Sequence, residues 1–66
     1  MAEHAYYLTT HPDPHGRGLM AVVTLGHPQL GDATAKVCTV DVVADQQAAN
    51  VWFDRMMVEK PWEERN

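Results

Sequence analysis

Leu19-Met20-Ala21-Val22-Val23-Thr24-Leu25 decides the fold, because alternate residues of a strand point to opposite faces and here neither face is polar. Leu19, Ala21, Val23 and Leu25 fall on one side, and Met20, Val22 and Thr24 on the other. A strand that is apolar on both sides belongs in the middle of a sheet. One strand is therefore expected to flank it on each edge.

Upstream, Ala5 to Thr10 combines aromatic and β-branched residues, with Tyr6 and Leu8 on one face and Tyr7 and Thr9 on the other. It reads as the first strand, over about 5–10. The segment His11-Pro12-Asp13-Pro14-His15-Gly16-Arg17-Gly18 then forms a loop, since its prolines remove backbone donors and its glycines admit positive φ. Downstream, Gly26 to Asp32 has the same chemistry, and 34–43 reads as the third strand. Within it Cys38, Val40 and Val42 are expected on one face. Val37, Thr39, Asp41 and Val43 take the other, which Asp41 marks as the wetter side. Loops of about eight residues suit antiparallel hairpins, whereas a parallel crossover needs a dozen or more. The expected order is 1-2-3.

Asp45 supplies a helix start, because its carboxylate can accept from the unpaired amides of a first turn. The helix is predicted over about 46–58. Ala48, Ala49, Trp52, Phe53, Met56 and Met57 recur at three- and four-residue spacings, an apolar stripe suited to one sheet face. Pro61 ends it, since the residue before a proline is biased out of the helical region. A polar tail, 61–66, follows. The fold class is thus α+β, a three-stranded antiparallel sheet with one C-terminal amphipathic helix packed on a face (βββα), in a single domain spanning 1–66.

A chain of 66 residues hides only about 60% of the surface its unfolded form exposes, so its core is thin. Disulfides, a metal or oligomerisation normally reinforce such a core, and the lone Cys38 excludes a disulfide within one chain. The sequence shows neither the basic start and apolar run of a signal peptide nor an apolar stretch long enough to cross a bilayer. A cytoplasmic protein without membrane contact is expected. Net charge is −4, and Arg17, Lys36, Arg55, Lys60 and Arg65 are scattered along the chain rather than clustered. That pattern argues against nucleic acid as a partner, because a phosphate backbone needs several basic side chains on one surface.

Two features could carry chemistry. His11, Asp13 and His15 place two imidazoles and a carboxylate within five residues, a set that could hold Zn²⁺ with His27 or His4 as a fourth ligand. Against this, Pro12 and Pro14 favour a polyproline conformation whose threefold repeat splays the three side chains, leaving an ordinary solvated turn. Cys38 sits in mid-strand and reads as a small buried hydrophobe rather than a nucleophile. No catalytic motif and no cofactor site is recognisable.

The second feature is the group Trp52, Met56, Met57 and Trp62, with Glu63 and Glu64 beside it. This is more large apolar surface than a small sheet covers easily, and Trp and Met are favoured at protein interfaces. Trp62, beyond the helix stop, is the first candidate for partner contact, the other reading being that it folds back on the sheet edge. Open edges and an uncovered sheet face also invite a homodimer. The function expected is non-enzymatic protein binding, as an inhibitor of the kind phages encode, an antitoxin-like regulator or an accessory subunit. The alternative is a metal-binding module or small metalloenzyme built on His11, Asp13 and His15.

Overall fold

The computed structural model describes residues 5–27 and 35–63. It contains three strands, β1 (Ala5–Pro12), β2 (Leu19–Gly26) and β3 (Lys36–Val43), then a helix α1 (Gln46–Glu59) and one 3₁₀ turn (Pro61–Glu63). The sheet is antiparallel in the order β1-β2-β3, with β2 central, as its two apolar faces require. The expected third-strand start at Thr34 lies outside the described residues, as does most of the second loop.

β1 runs two residues further than the sequence suggests, through His11 and Pro12, which pair with Met20 and Leu19. Pro12 is tolerated there because β1 is an edge strand, and a missing amide on the solvent side costs no ladder bond. The loop itself is a tight hairpin. The amide of Gly16 donates to the Asp13 carbonyl and that of Asp13 to the Gly18 carbonyl, each at 2.9 Å. Pro14 then occupies the second position of a turn, where its fixed φ is an advantage.

The β2–β3 register carries one shift. Val23 pairs with Thr39 and Thr24 with Val37, so Cys38 is an extra residue without a partner on β2. This bulge corrects the expected face assignment of β3. Cys38 leaves the side of Val40 and Val42, packs partly buried against the core, and gives its place on the other face to Val37.

α1 covers one face of the sheet only. Asp45 caps it as the sequence predicts, its Oδ1 accepting from the Ala48 amide at 2.9 Å. At the other end Lys60 turns left-handed, φ 41° and ψ 60°, and its amide closes on the Met56 carbonyl at 2.8 Å. The core beneath the helix consists of Ala21, Val23, Ala49, Trp52 and Met56, with Tyr6, Leu8, Cys38, Val43, Phe53, Met57 and Trp62 around it. Among the described residues Val23 is the largest side chain that is completely enclosed. Asp41 pairs with Ala21 and so belongs to this helix-covered face, not to the wetter one as expected. It reaches water because β3 is an edge strand, and Asp41 is exposed there.

Candidate functional surface

Pairing across β1, β2 and β3 sets the residues of the face turned away from α1 into rows. Thr9, Val22 and Val40 form the middle row; His11, Met20 and Val42 flank it on one side, and Tyr7, Thr24 and Val37 on the other. None of these side chains is Lys, Arg, Asp or Glu, although 21% of the chain is charged. Val37 and Val40 are 60% and 48% exposed, and the face holds a shallow depression of about 560 Å³ between Tyr7, Met20, Val22 and Val37. A sheet with one solvated face normally turns polar residues to water. Here the uncovered face is uncharged, while the helix-covered face carries Lys36 and Asp41 at its β3 edge.

The outer edge of β3 is poorly suited to pairing with a further strand. The bulge at Cys38 breaks its line, Lys36 and Asp41 are exposed along it, and the Asp41 Oδ1 accepts the amide of Val42 at 2.8 Å. Bulges and edge charges are the usual devices against such pairing.

The residues that sequence reasoning assigns to a partner are mostly engaged within the domain. Trp52 and Met56 are buried, 6% and 7% exposed, because the apolar stripe of α1 is the one that faces the sheet. Met57 and Trp62 pack half-buried against the same core. Trp62 folds back onto β1. Its ring lies 5.5 Å from that of Tyr6 at 58°, and its Nε1 donates to the Tyr6 hydroxyl at 3.3 Å. The Tyr6 hydroxyl in turn donates to Glu63 Oε2, and Lys60 Nζ stands 5.8 Å from the Tyr6 ring centre. The bond to Glu63 raises the Tyr6 pKa, the Trp62 donor working against it. Glu64 lies outside the described residues.

Beside this cluster is a second open depression of about 600 Å³, lined by Leu25, Lys36, Val37 and Cys38 as well as by Tyr6, Trp62 and Glu63. Tyr6, Trp62 and Glu63 are hydrogen-bonded to one another along one side of it. The Cys38 thiol points to the Lys36 carbonyl oxygen, 3.7 Å away.

His11, Asp13 and His15 are not brought together. His11 is exposed on the uncovered sheet face and His15 in the turn, whereas the side chain of Asp13 is buried. Arg17 takes both oxygens of that carboxylate, with Nε 2.8 Å from Oδ2 and Nη2 3.2 Å from Oδ1, and the Arg17 amide adds a bond of 3.0 Å. Hydrogen bonds from the Arg17 side chain hold Asp13 below the usual carboxylate range; burial opposes them, and the amides of Arg17 and His15 reinforce them. The candidate ligand Asp13 is thus a turn-locking residue. Among the described residues no group of three metal-ligating side chains occurs. His27 is described without forming one, and His4 lies outside the described residues. The four-residue spacing of Asp13 and Arg17 around a proline was the signal for this pair.

No helix among the described residues is long and apolar enough to cross a membrane. Searches against protein-family models, curated proteins and solved structures find no match for this chain.

Proposed function

We propose that this chain is a non-enzymatic protein-binding module, of the kind that serves as an inhibitor, an antitoxin-like regulator or an accessory subunit, and that its binding surface is the uncovered face of the sheet. The observation that carries this reading is the uncharged array centred on Val22, with Val37 and Val40 in water. Burial of such a face is favourable at roughly 25 cal/mol per Å² of apolar area and involves no Lys, Arg, Asp or Glu to desolvate. The binding surface therefore differs from the helix stripe favoured by sequence reasoning, whose tryptophan and methionines serve the core. We place the protein in the cytoplasm, where a single thiol without a disulfide partner is at home.

The test is a photoreactive amino acid placed at Val40, with Val51 on the outer side of α1 as the control, followed by illumination of the cells that make the protein. Both positions are exposed, at 48% and 64%. Covalent protein adducts concentrated at position 40 are expected. Adducts at 51 with none at 40 would overturn the reading.

A further inference from the structure

The uncovered face has the properties of half a core. β2 is apolar on both sides, yet α1 covers one, and the buried hydrophobic residues between helix and sheet number only Ala21, Val23, Ala49, Trp52 and Met56 among the described residues. Three of these are Ala or Val. Chains of this length usually need an added staple, and Cys38 is a free thiol while Asp13 is already bound to Arg17.

We infer that the occupant of the uncovered face is a second copy of this chain, packed sheet against sheet into a helix-sheet-sheet-helix sandwich. This rests on the reading of that face as a binding surface and names its partner. Three features of the molecule fit a second copy.

The first is charge. A twofold axis through Val22 along β2 sets each row against the same row of the other protomer in reverse order, β1 facing β3, so any unpaired Lys, Arg, Asp or Glu there would be buried twice. The rows hold none, and the net charge of −4 comes from residues placed elsewhere.

The second is area. Three strands of eight residues give a face of about 27 Å by 14 Å from strand rise and spacing. Thr24, at one end of this face, is already buried at 7% exposure, and two such faces in contact bury on the order of 800–1,000 Å² in total, the size of a weak, concentration-dependent interface.

The third is position. Val22 lies at the middle of the array, between Thr9 and Val40. Under that twofold axis it packs on its own copy at the usual sheet separation of about 10 Å. Met20 supplies an adaptable side chain to fill the relief around it.

Sedimentation equilibrium of the purified full chain between about 1 and 100 µM tests this, together with thermal melting over the same range. A dimer mass and a melting temperature that rises with chain concentration are expected. Val40→Lys, at an exposed edge-strand site, should raise the dimer dissociation constant by about a hundredfold, because the twofold axis counts each new charge twice. Val51→Lys should leave it unchanged. If Val40→Lys does not fold, Thr9→Lys in the same row gives the same readout. A monomer at 100 µM whose melting is independent of concentration would overturn the inference. So would a dimer indifferent to both sheet-face variants. Adducts from position 40 to a different chain, alongside a monomer in isolation, would retain the binding face and reject the second copy.

Discussion

The α-carbon of Gly18 lies against the carbonyl group of Val43, so that a β-carbon on Gly18 would collide with the Val43 oxygen and stand 3.1 Å from that of Ala44. The contact ties the β1–β2 hairpin to the corner where β3 turns into α1. It also explains φ +132° at Gly18, a conformation open to glycine alone.

Gly18→Ala should therefore cost more than about 2 kcal/mol, since both strain and a backbone collision follow. Gly16, at φ +74°, has nothing within 4 Å of its would-be β-carbon. Gly16→Ala should cost only the left-handed penalty, about 1 kcal/mol. Urea denaturation of the two variants side by side checks the ranking, and equal losses would mean that the corner is not held by this contact.

Asp13 makes stability depend on acid. Its pKa is lowered in the folded chain by Arg17, so its contribution is complete above the ordinary carboxylate range and is lost as pH falls through the depressed value. Asp13→Asn should lower the urea midpoint at neutral pH, and the gap to the wild type should close in strong acid. A gap that stays constant with pH would show that the carboxylate charge is not what locks the turn.

Tyr6 makes the opposite, alkaline link. Its pKa is raised by the bond to Glu63, so the stabilisation is present below the ordinary phenol range and is lost as pH rises through the elevated value. Absorbance titration should show Tyr6 ionising late, and Glu63→Gln should bring that ionisation back towards the ordinary range. An unaltered titration in Glu63→Gln would place the origin of the shift elsewhere.

The division of α1 into a core side and a water side is open to direct test. Met56→Ala should destabilise the fold by about 2–5 kcal/mol, as expected for truncating a buried methionine. Val51→Ala, at a site 64% exposed, should change stability by less than about 0.5 kcal/mol. Comparable effects of the two would mean that the helix lies on the sheet in another orientation.

Much of the architecture was legible from local chemistry. The two-sided apolarity of 19–25 requires a central strand, the loops favour hairpins, and Asp45 marks the helix start, each of which the structure bears out. Less legible was anything that depends on a neighbour. An extra residue such as Cys38 is visible only once β2 is opposite, and without it the faces of β3 are exchanged below the bulge. Asp13 has the residue type of a metal ligand and the spacing of a salt-bridged turn, and its burial beside Arg17 decides between them. The apolar stripe of α1 and the second apolar face of β2 together exceed what a small sheet needs, and pattern alone does not say which is left in water. The rows on the sheet resolve it, because α1 lies over Ala21 and Val23 and leaves Val22 uncovered.

The most direct measurement is an isotope-filtered nuclear Overhauser experiment on a mixture of ¹³C-labelled and unlabelled chains, read at the methyl groups of Met20, Val22 and Val40. Contacts between labelled and unlabelled chains at these methyls are predicted, strongest at Val22. Interchain contacts confined to Val51 and Val58 on α1, or none at concentrations where the chain is folded, would contradict a sheet-to-sheet dimer.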